Sequence, residues 1–254
     1  DIWGAWQSPK NLDEVLQKIH NYIYPHRGAR MLVDDIPDFP DNNIIVDSYA
    51  VPNPLEVAKL YKEIEVTLSE LKQTMTTDGD SVLTDMLRQR QQIELAKVPS
   101  LYDLARSDHA SGKRVVIFVN FRDTQRLLRD RLKRYIPLIS EIHGDQTADE
   151  RQRAIDLFQS NAHPVTIATI SSGGVGISLH DEDGIYPRSS IVCPSFSAVD
   201  LRQALGRIHR ANSKSKSVQR IVLASNTIEE RIATKLRGKL KALDTINDTD
   251  LSPF

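Results

Sequence analysis

Residues Lys113–Leu132 read KRVVIFVNFRDTQRLLRDRL, and this stretch decides the fold. An unbroken apolar run, Val115–Val119, is followed at once by a polar segment in which Leu128 and Leu132 recur at helical spacing. A strand that is apolar on both faces and leads into a helix is typical of a parallel sheet covered by helices on both sides. The stretch therefore predicts one strand–helix unit of an α/β fold.

The same alternation continues downstream. Further strands are predicted, in chain order, at Leu138–Ile142, Val165–Ile170, Ser190–Cys193 and Val218–Ala224. Helices are predicted at Thr147–Gln159 and Thr227–Leu243, and each opens with the T-x-x-E pattern of a capping box. Right-handed crossovers place the loops after these strands along one edge of the sheet, where open α/β sheets bind ligands.

The first hundred residues lack this alternation. Helical periodicity occurs at residues 12–19, Leu55–Leu71 and Val82–Leu104. Between the first two lies an acidic, Pro-rich passage, Met31–Pro54, for which we expect a solvated loop with a short strand at Ile44–Val46. We divide the chain into a mainly helical extension, residues 1–104, without chemistry of its own, and an α/β domain, residues 105–254.

Composition restricts the possible classes of protein. The chain has 254 residues, 40% hydrophobic and 26% charged, and its net charge of −1 gives no general attraction to polyanions. The single cysteine, Cys193, excludes an intrachain disulfide framework and a multi-cysteine zinc site, and no metal site is expected. No apolar run long enough to span a membrane and no signal-peptide pattern occur. We expect an intracellular protein without membrane contact, and a fragment or processed product, because the first residue is Asp1.

A second stretch, Asp200–Asn212 (DLRQALGRIHRAN), carries the chemistry. If it is helical, Gln203, Arg207 and Arg210 lie along one face. Two guanidiniums on one face cannot satisfy each other, so they need an anion, and their geometry suits phosphate oxygens. A solvated basic face is the alternative, but the pattern Q-x-x-G-R-x-H-R is much less common than two spaced arginines.

Small and polar residues follow the predicted strands. Asn120 and Arg122 follow the first strand, Gly144 follows the second, and the glycine-rich loop Ser171–Gly176 follows the third. Backbone N–H groups in such loops can approach an anion closely. A glycine-rich loop alone is a weak signal, because tight turns use glycine for conformational reasons.

Positive charge is concentrated between Arg106 and Arg134. This span holds nine basic residues against three acidic ones, a net charge of +6. The basic residues are Arg106, Lys113, Arg114, Arg122, Arg126, Arg129, Arg131, Lys133 and Arg134. The excess predicts a surface for a phosphate backbone, although a solvated helix face is the simpler interpretation for Arg126, Arg129 and Lys133.

Two other patterns argue against a self-contained nucleotide or metal site. The phosphate-binding loop G-x-x-x-x-G-K-[S/T] does not occur, since residues 112–114 read GKR and residues 238–240 read GKL. Without that loop and its lysine, the chain has no primary grip on ATP phosphates. The cluster His180–Asp183 resembles a metal site, but the following Gly184 favours a solvated connecting loop.

Taken in order, these motifs resemble the second RecA-like domain of SNF2-type superfamily 2 helicases and translocases. Lys113–Leu132 resembles motif IV, Glu141–Phe158 the segment between motifs IV and V, Val165–Leu179 motif V, and Gln203–Arg210 motif VI. The resemblance implies a RecA-like parallel sheet with helices on both faces. The chain also has an insert, Asp181–Arg188, before the fourth predicted strand, and in this it resembles SNF2-like helicases of large DNA viruses.

The resemblance also implies roles for residues on a nucleotide. Arg207 and Arg210 would be arginine fingers that act on ATP across a cleft, and Gln203, Gly174 and Gly176 would line the nucleotide side. ATP and its Mg²⁺ would be held mainly by a separate N-terminal RecA-like domain. The chain alone is therefore expected not to hydrolyse ATP.

A second group of residues is implied for nucleic acid, with duplex DNA favoured over RNA. Asn120, Arg122, Gly144 and Thr169 would face its sugar–phosphate backbone. Motif V departs from the family here, because residues 169–172 read TISS where STRA is usual. Two alternatives stay open: a non-catalytic RecA-like module that binds nucleic acid or protein, and a self-sufficient nucleotide-using enzyme, for which a phosphate fingerprint is lacking.

Overall fold

The computed structural model describes residues 12–23, 38–73, 79–173, 176–194, 197–227 and 229. Its strands are Asn42–Tyr49 (β1), Arg114–Val119 (β2), Ile139–Ile142 (β3), Val165–Thr169 (β4), Arg188–Val192 (β5) and Ser217–Ala224 (β6). They form one six-stranded sheet in the order β1-β6-β5-β2-β4-β3, and every neighbouring pair is parallel. The predicted parallel α/β sheet is confirmed.

Helices lie before and between the strands. They are Leu12–Ile23 (α1), Pro54–Gln73 (α2), Gly79–Ala96 (α3), Val98–Ala110 (α4), Arg122–Leu132 (α5), Ala148–Gln159 (α6), Ile170–Gly173 (α7) and Ala198–Leu205 (α8). None of these described helices is long and apolar enough to cross a membrane. The helix predicted at residues 227–243 falls almost entirely outside the described residues.

Strand β2 shows why both faces of the sheet are covered. Val116 and Phe118 belong to a core formed with α6 and α8, whereas Val115, Ile117 and Val119 belong to a core formed with α4 and α5. All five side chains are fully buried. Alternate residues of one strand thus enter opposite cores, which is why its sequence is continuously apolar.

Helix α6 begins as its sequence predicts. The Thr147 side chain accepts from the Glu150 N–H at 3.3 Å, and the Glu150 carboxylate accepts from the Thr147 N–H at 2.9 Å. This reciprocal pair is the capping box that T-x-x-E indicated, and it satisfies two N–H groups at the helix start.

The expected short strand at Ile44–Val46 is the centre of a longer one, β1. β1 pairs with β6 over its whole length, from Asn42 opposite Ser217 to Tyr49 opposite Ala224. The helices that follow, α2 and α3, pack a smaller core beside the end of β6. The division between residues 104 and 105 stays a prediction, but β1 shares the sheet with the later strands and that position lies within α4.

Candidate functional site

The arginines of the Q-x-x-G-R-x-H-R pattern lie in a turn after α8. The last helical bond runs from the Gly206 N–H to the Arg202 carbonyl at 3.0 Å, and the next, from Arg207 to Ala204 at 3.1 Å, already spans only three residues. This tightening ends the helix. The expectation that the three motif side chains share one helical face is therefore wrong. We call residues 206–210 the arginine turn.

Arg207 points into the protein. It is 9% exposed, and its Nη1 donates to the Ile177 carbonyl at 3.1 Å. Its own carbonyl accepts from the Leu179 N–H at 2.9 Å. Burial lowers the pKa of Arg207, and the charge of the nearby Arg210 lowers it further. These bonds fix the arginine turn along residues 177–179, which follow the glycine-rich loop.

Arg210 is half-buried and contacts the same segment. Its Nη1 donates to the Ser178 hydroxyl at 2.8 Å and its Nε to the Gly206 carbonyl at 3.2 Å. Both of these partners are neutral, so neither offsets the guanidinium charge. The structure thus gathers two mutually repelling guanidiniums on one segment, which is an arrangement suited to an anion.

The other residues expected near a nucleotide are Gln203, Gly174 and Gly176. Gln203 is exposed on α8, two residues before the helix ends. Gly176 has φ +73°, and a Cβ there would meet open space, so the backbone shape rather than crowding favours glycine. Gly174 lies outside the described residues. The structure brings Gly176 next to the segment that both arginines contact, and leaves Gln203 on the exposed side of α8.

His209, between the two arginines, is held by the segment before β1. Its Nε2 lies 2.7 Å from the Pro40 carbonyl oxygen, and its ring meets Phe39 edge-on with centroids 4.6 Å apart. Asp41, which follows Pro40, pairs with Lys216 at 2.5 Å, and this ion pair lowers the pKa of Asp41 and raises that of Lys216. The acidic passage therefore reaches the arginine turn instead of forming only a solvated loop.

At the carboxyl edge of the sheet, Asn120 follows β2 and is bonded inward. Its N–H donates to both carboxylate oxygens of Glu94, at 3.0 and 2.9 Å. Its Nδ2 donates to Glu94 Oε2 at 2.5 Å and to the Cys193 carbonyl at 3.2 Å. The amide nitrogen expected at a nucleic-acid backbone thus has partners inside the protein. Cys193 is buried, and burial raises the pKa of its thiol well above the ordinary value.

Arg122 begins α5 and reaches the loop after β3. Its Nε lies 3.2 Å from Asp145 Oδ2, and its Nη1 is hydrogen-bonded to Gln125 Oε1. Gln125 donates in turn to the carbonyls of Ile142 and Ile167, so these bonds aim Arg122 across the ends of β3 and β4. The Asp145 side chain is 71% exposed, and such surface pairs are weak enough for a phosphate to replace.

Gly144 and Thr169 occupy different environments. Gly144 is exposed, and a Cβ there would meet Ser172 Oγ at 3.5 Å, an ordinary contact. Thr169 is 4% exposed at the end of β4. The loops after β3 and β4 are therefore neighbours, as expected at a carboxyl edge. Burial and the charge of Arg122 lower the pKa of His143 in the first of them.

Most of the positive charge between Arg106 and Arg134 has internal partners. The ion pairs are Lys113–Asp108, Arg126–Asp123, Arg129–Asp130 and Arg129–Glu141. Arg106 lies over the ring of Tyr135 at 4.5 Å, and Arg114 over that of Tyr186 at 3.6 Å. The net charge of this span therefore overstates the surface available to a phosphate backbone.

Sequence reasoning missed a group of charges buried beside the carboxyl edge. Lys97 Nζ lies 2.5 Å from Glu229 Oε1, with side chains 4% and 6% exposed. The Tyr61 hydroxyl donates to the same oxygen at 2.6 Å, and the Ala224 N–H to the other at 2.6 Å. We call Tyr61, Glu94, Lys97 and Glu229 the buried charge cluster. The available signal was a glutamate and a lysine three residues apart in an otherwise apolar stretch.

The loop after Leu179 also differs from expectation. His180 and Asp181 are 5% and 1% exposed, whereas a solvated loop was expected. Nearby, Arg188 is buried at the start of β5, lies over Phe158 at 4.9 Å and donates to Asn161 Oδ1 at 2.7 Å. Burial lowers the pKa of Arg188, and the negative charge of Asp181 counteracts this. Glu182 and Asp183, by contrast, are exposed, as expected for a solvated loop.

Comparison with known proteins adds a family and a fold. Residues 96–212 match the family described as the helicase conserved C-terminal domain. The putative ATP-dependent RNA helicase L364 of Acanthamoeba polyphaga mimivirus is 37% identical over 225 residues, which is 88% of this chain and 41% of that protein. An uncharacterized ATP-dependent helicase of Mycoplasma pneumoniae is 26% identical over 230 residues, 86% of this chain and 22% of that protein. The chain thus spans less than half the length of these relatives.

Two solved structures share the fold. The C-terminal part of the Fun30 ATPase domain matches with a TM-score of 0.54 at 14% identity, over 83% of this chain and 99% of that one. The Sulfolobus solfataricus SWI2/SNF2 ATPase core in complex with dsDNA matches with a TM-score of 0.58 at 18% identity, over 84% of this chain and 48% of that one. The domain match and the mimivirus relative identify a helicase conserved C-terminal domain in this chain, and the two solved structures show that its RecA-like fold is shared with SNF2-type ATPase domains.

Proposed function

We propose that the chain is the C-terminal motor domain of an ATP-dependent SNF2-like helicase or translocase. In this proposal a separate N-terminal RecA-like domain holds ATP, and Arg207 and Arg210 complete its pocket from across a cleft. The observation that carries the proposal is that both guanidiniums contact residues 177–178. Two positive charges on one segment can meet the same developing negative charge during phosphoryl transfer.

The residues of this chain fit only one half of a nucleotide site. They supply cations, but the sequence has no loop of the G-x-x-x-x-G-K-[S/T] type to cradle phosphates. Within the described residues, no group of three or more His, Cys, Asp or Glu side chains could hold a metal ion. We therefore assign ATP and Mg²⁺ mainly to the other domain, and expect the 254-residue chain alone not to hydrolyse ATP.

The two arginines differ in what they can do. Arg210 Nη1 donates to the neutral Ser178 hydroxyl at 2.8 Å, and a phosphate oxygen is a stronger acceptor for a guanidinium than a hydroxyl is. Arg207 is bonded to the Ile177 carbonyl and is nearly buried, so it acts through its charge and by holding the segment in place. Arg210 is thus the finger that changes partner, and Arg207 the one that fixes the geometry.

For nucleic acid, we propose that Arg122 and the loop containing Gly144 contact the sugar–phosphate backbone, with Asn120 and Thr169 shaping the edge beneath them. Within the part of the chain that the structure describes, Arg122 is held by a surface pair with Asp145 and by Gln125. The mimivirus relative is named an RNA helicase, and the Sulfolobus solfataricus structure was solved with dsDNA. We propose duplex DNA as the substrate here.

The test is Arg210→Ala in the longer protein that carries both domains. ATP turnover should fall on the order of 10³-fold or more, while affinity for nucleic acid stays unchanged, because the substitution removes a transition-state contact. Arg202→Ala, on α8, is the matched control and should keep its turnover. Retained turnover in Arg210→Ala would overturn the arginine-finger assignment. Stimulation of the wild type by single-stranded DNA, duplex DNA or RNA identifies the polymer.

One observation favours a second candidate, a non-catalytic module that binds nucleic acid or protein. Arg207 is nine-tenths buried and bonded to a backbone carbonyl, as a purely structural arginine would be. Under this alternative, the longer protein binds its partner without hydrolysing ATP. The same turnover assay separates the two functions, because only the motor has an activity for Arg210→Ala to remove.

A further inference from the structure

Glu94 lies near the end of α3 and is 3% exposed. Its carboxylate accepts from the N–H of Asn120 at 2.9 Å, from the N–H of Phe121 at 3.1 Å and from Asn120 Nδ2 at 2.5 Å. A buried carboxylate is costly unless it is hydrogen-bonded, so the carboxylate and the turn it binds hold each other in place. This turn connects β2 to α5.

The turn has no capping side chain of its own. Phe121 is the N-cap residue of α5, and no side chain caps the helix there. Glu94 brings a negative charge to this helix start from α3, and such a charge is favourable beside the partial positive charge of a helix N-terminus. The residue that follows Phe121 is Arg122, so the direction in which Arg122 leaves the sheet depends on a carboxylate from another helix.

Glu94 is itself fixed by the rest of the buried charge cluster. Three residues further on, Lys97 pairs with Glu229, which also accepts from Tyr61 of α2 and from the Ala224 N–H at the end of β6. The end of α3 is therefore tied to the ends of two strands, β2 and β6. Residues that the sequence assigned to an extension without chemistry thus reach the ligand edge of the sheet.

We propose that Glu94 is a positioning residue for nucleic-acid binding: by holding the turn between β2 and α5, it fixes Arg122 in the orientation that contacts a backbone phosphate. This inference rests on the proposed function, in which Arg122 makes that contact. Glu94 touches no substrate. Its contribution is to keep the Arg122 side chain over the ends of β3 and β4, where Asp145 and Gln125 now hold it.

The experiment measures duplex-DNA binding by the full chain as a function of salt, using fluorescence anisotropy. Each neutralised phosphate contributes about 0.9 to the slope of log Kobs against log salt. Arg122→Ala should lower the slope by about 0.9. Glu94→Gln should lower it by a similar amount although it removes a negative charge, and the double variant should lower it no further. Glu63→Gln, which removes the negative charge from the carboxylate that accepts from Gln89 Nε2 at 3.2 Å between α2 and α3, is the matched control and should keep the wild-type slope.

The outcomes distinguish a failure of the positioning role of Glu94 from a failure of the backbone contact proposed for Arg122. If Arg122→Ala keeps the wild-type slope, the proposed backbone contact fails and the role of Glu94 fails with it. If Arg122→Ala lowers the slope and Glu94→Gln does not, only the positioning role is overturned. If Glu94→Gln does not fold, Asn120→Ala replaces it, because asparagine is uncharged and a lower slope can come only from a displaced Arg122. A wild-type slope in Asn120→Ala would then overturn the inference.

Discussion

Lys97→Met tests how strongly the buried charge cluster holds the helices to the sheet. The substitution removes one partner of an ion pair whose side chains are 4% and 6% exposed and whose charged atoms lie 2.5 Å apart. Glu229 then stays buried, with the Tyr61 hydroxyl and the Ala224 N–H still donating to its carboxylate. Breaking a buried pair from one side costs about 3–5 kcal/mol, because it leaves an uncompensated charge.

Urea unfolding followed by circular dichroism measures this loss. For a chain of this size, this loss of unfolding free energy corresponds to a fall in Tm of roughly 10 °C. The double variant Lys97→Met/Glu229→Gln removes both charges and should recover much of the loss. Lys59→Met is the matched control, because the Lys59–Glu63 pair is 3.8 Å long with side chains 77% and 43% exposed. That substitution should cost less than about 1 kcal/mol.

Two results would refute this reasoning. The first is a loss of unfolding free energy in Lys97→Met that is no larger than the loss in Lys59→Met. That result would mean that burial does not make the Lys97–Glu229 pair stronger than a surface pair. The second is a double variant whose loss equals the sum of the single losses, since independent losses show that the two charges do not act on each other.

Three further predictions are tested by urea unfolding or by fluorescence anisotropy of duplex-DNA binding. Asp145→Asn removes the carboxylate that competes for Arg122, so duplex-DNA affinity should rise by up to about fivefold, and an unchanged Kd would exclude that competition. Burial raises the pKa of Glu94, so its contribution to wild-type stability is present below pH 4.5 and is lost as pH rises through the folded-state pKa. Unfolding at about pH 4 and about pH 8 should therefore show Glu94→Gln gaining on the wild type at the higher pH, and a constant difference would contradict it. Thr147→Ala breaks the capping box with Glu150 and should cost about 1 kcal/mol without changing DNA affinity.

The sheet was predictable because its strands are buried on both faces. In Val115–Val119 every position is apolar, so the strand is readable without knowing its neighbours. The capping box at Thr147 is equally local, since both partners lie within one turn of helix. Strand β1 was harder to predict in full. Its apolar centre, Ile44–Val46, is flanked by polar residues, and these belong to the strand because they pair with β6.

The candidate site was predictable in its residue types and not in its contacts. The pattern around Arg207 and Arg210 indicated an anion site, but a helical spacing could not reveal that the helix ends before them. Glu94 was missed because its partners lie 26 and 27 residues away and are mostly backbone N–H groups, which no sequence pattern displays. The burial of His180 and Asp181 was likewise missed, because the local sequence is polar and acidic.

The outer strand of the sheet has a consequence for how the protein is made. Among the described residues, β1 has one neighbour in the sheet, β6, and Lys216 and Asp41 at the start of that pairing are 175 residues apart in the chain. During translation β1 is therefore synthesised long before β6. Until β6 emerges, the nascent polypeptide carries a strand without its sheet partner, and this strand can pair with other chains. A translation product that stops before Ser217 would keep this strand without its partner, so premature termination should yield aggregates rather than a smaller folded protein.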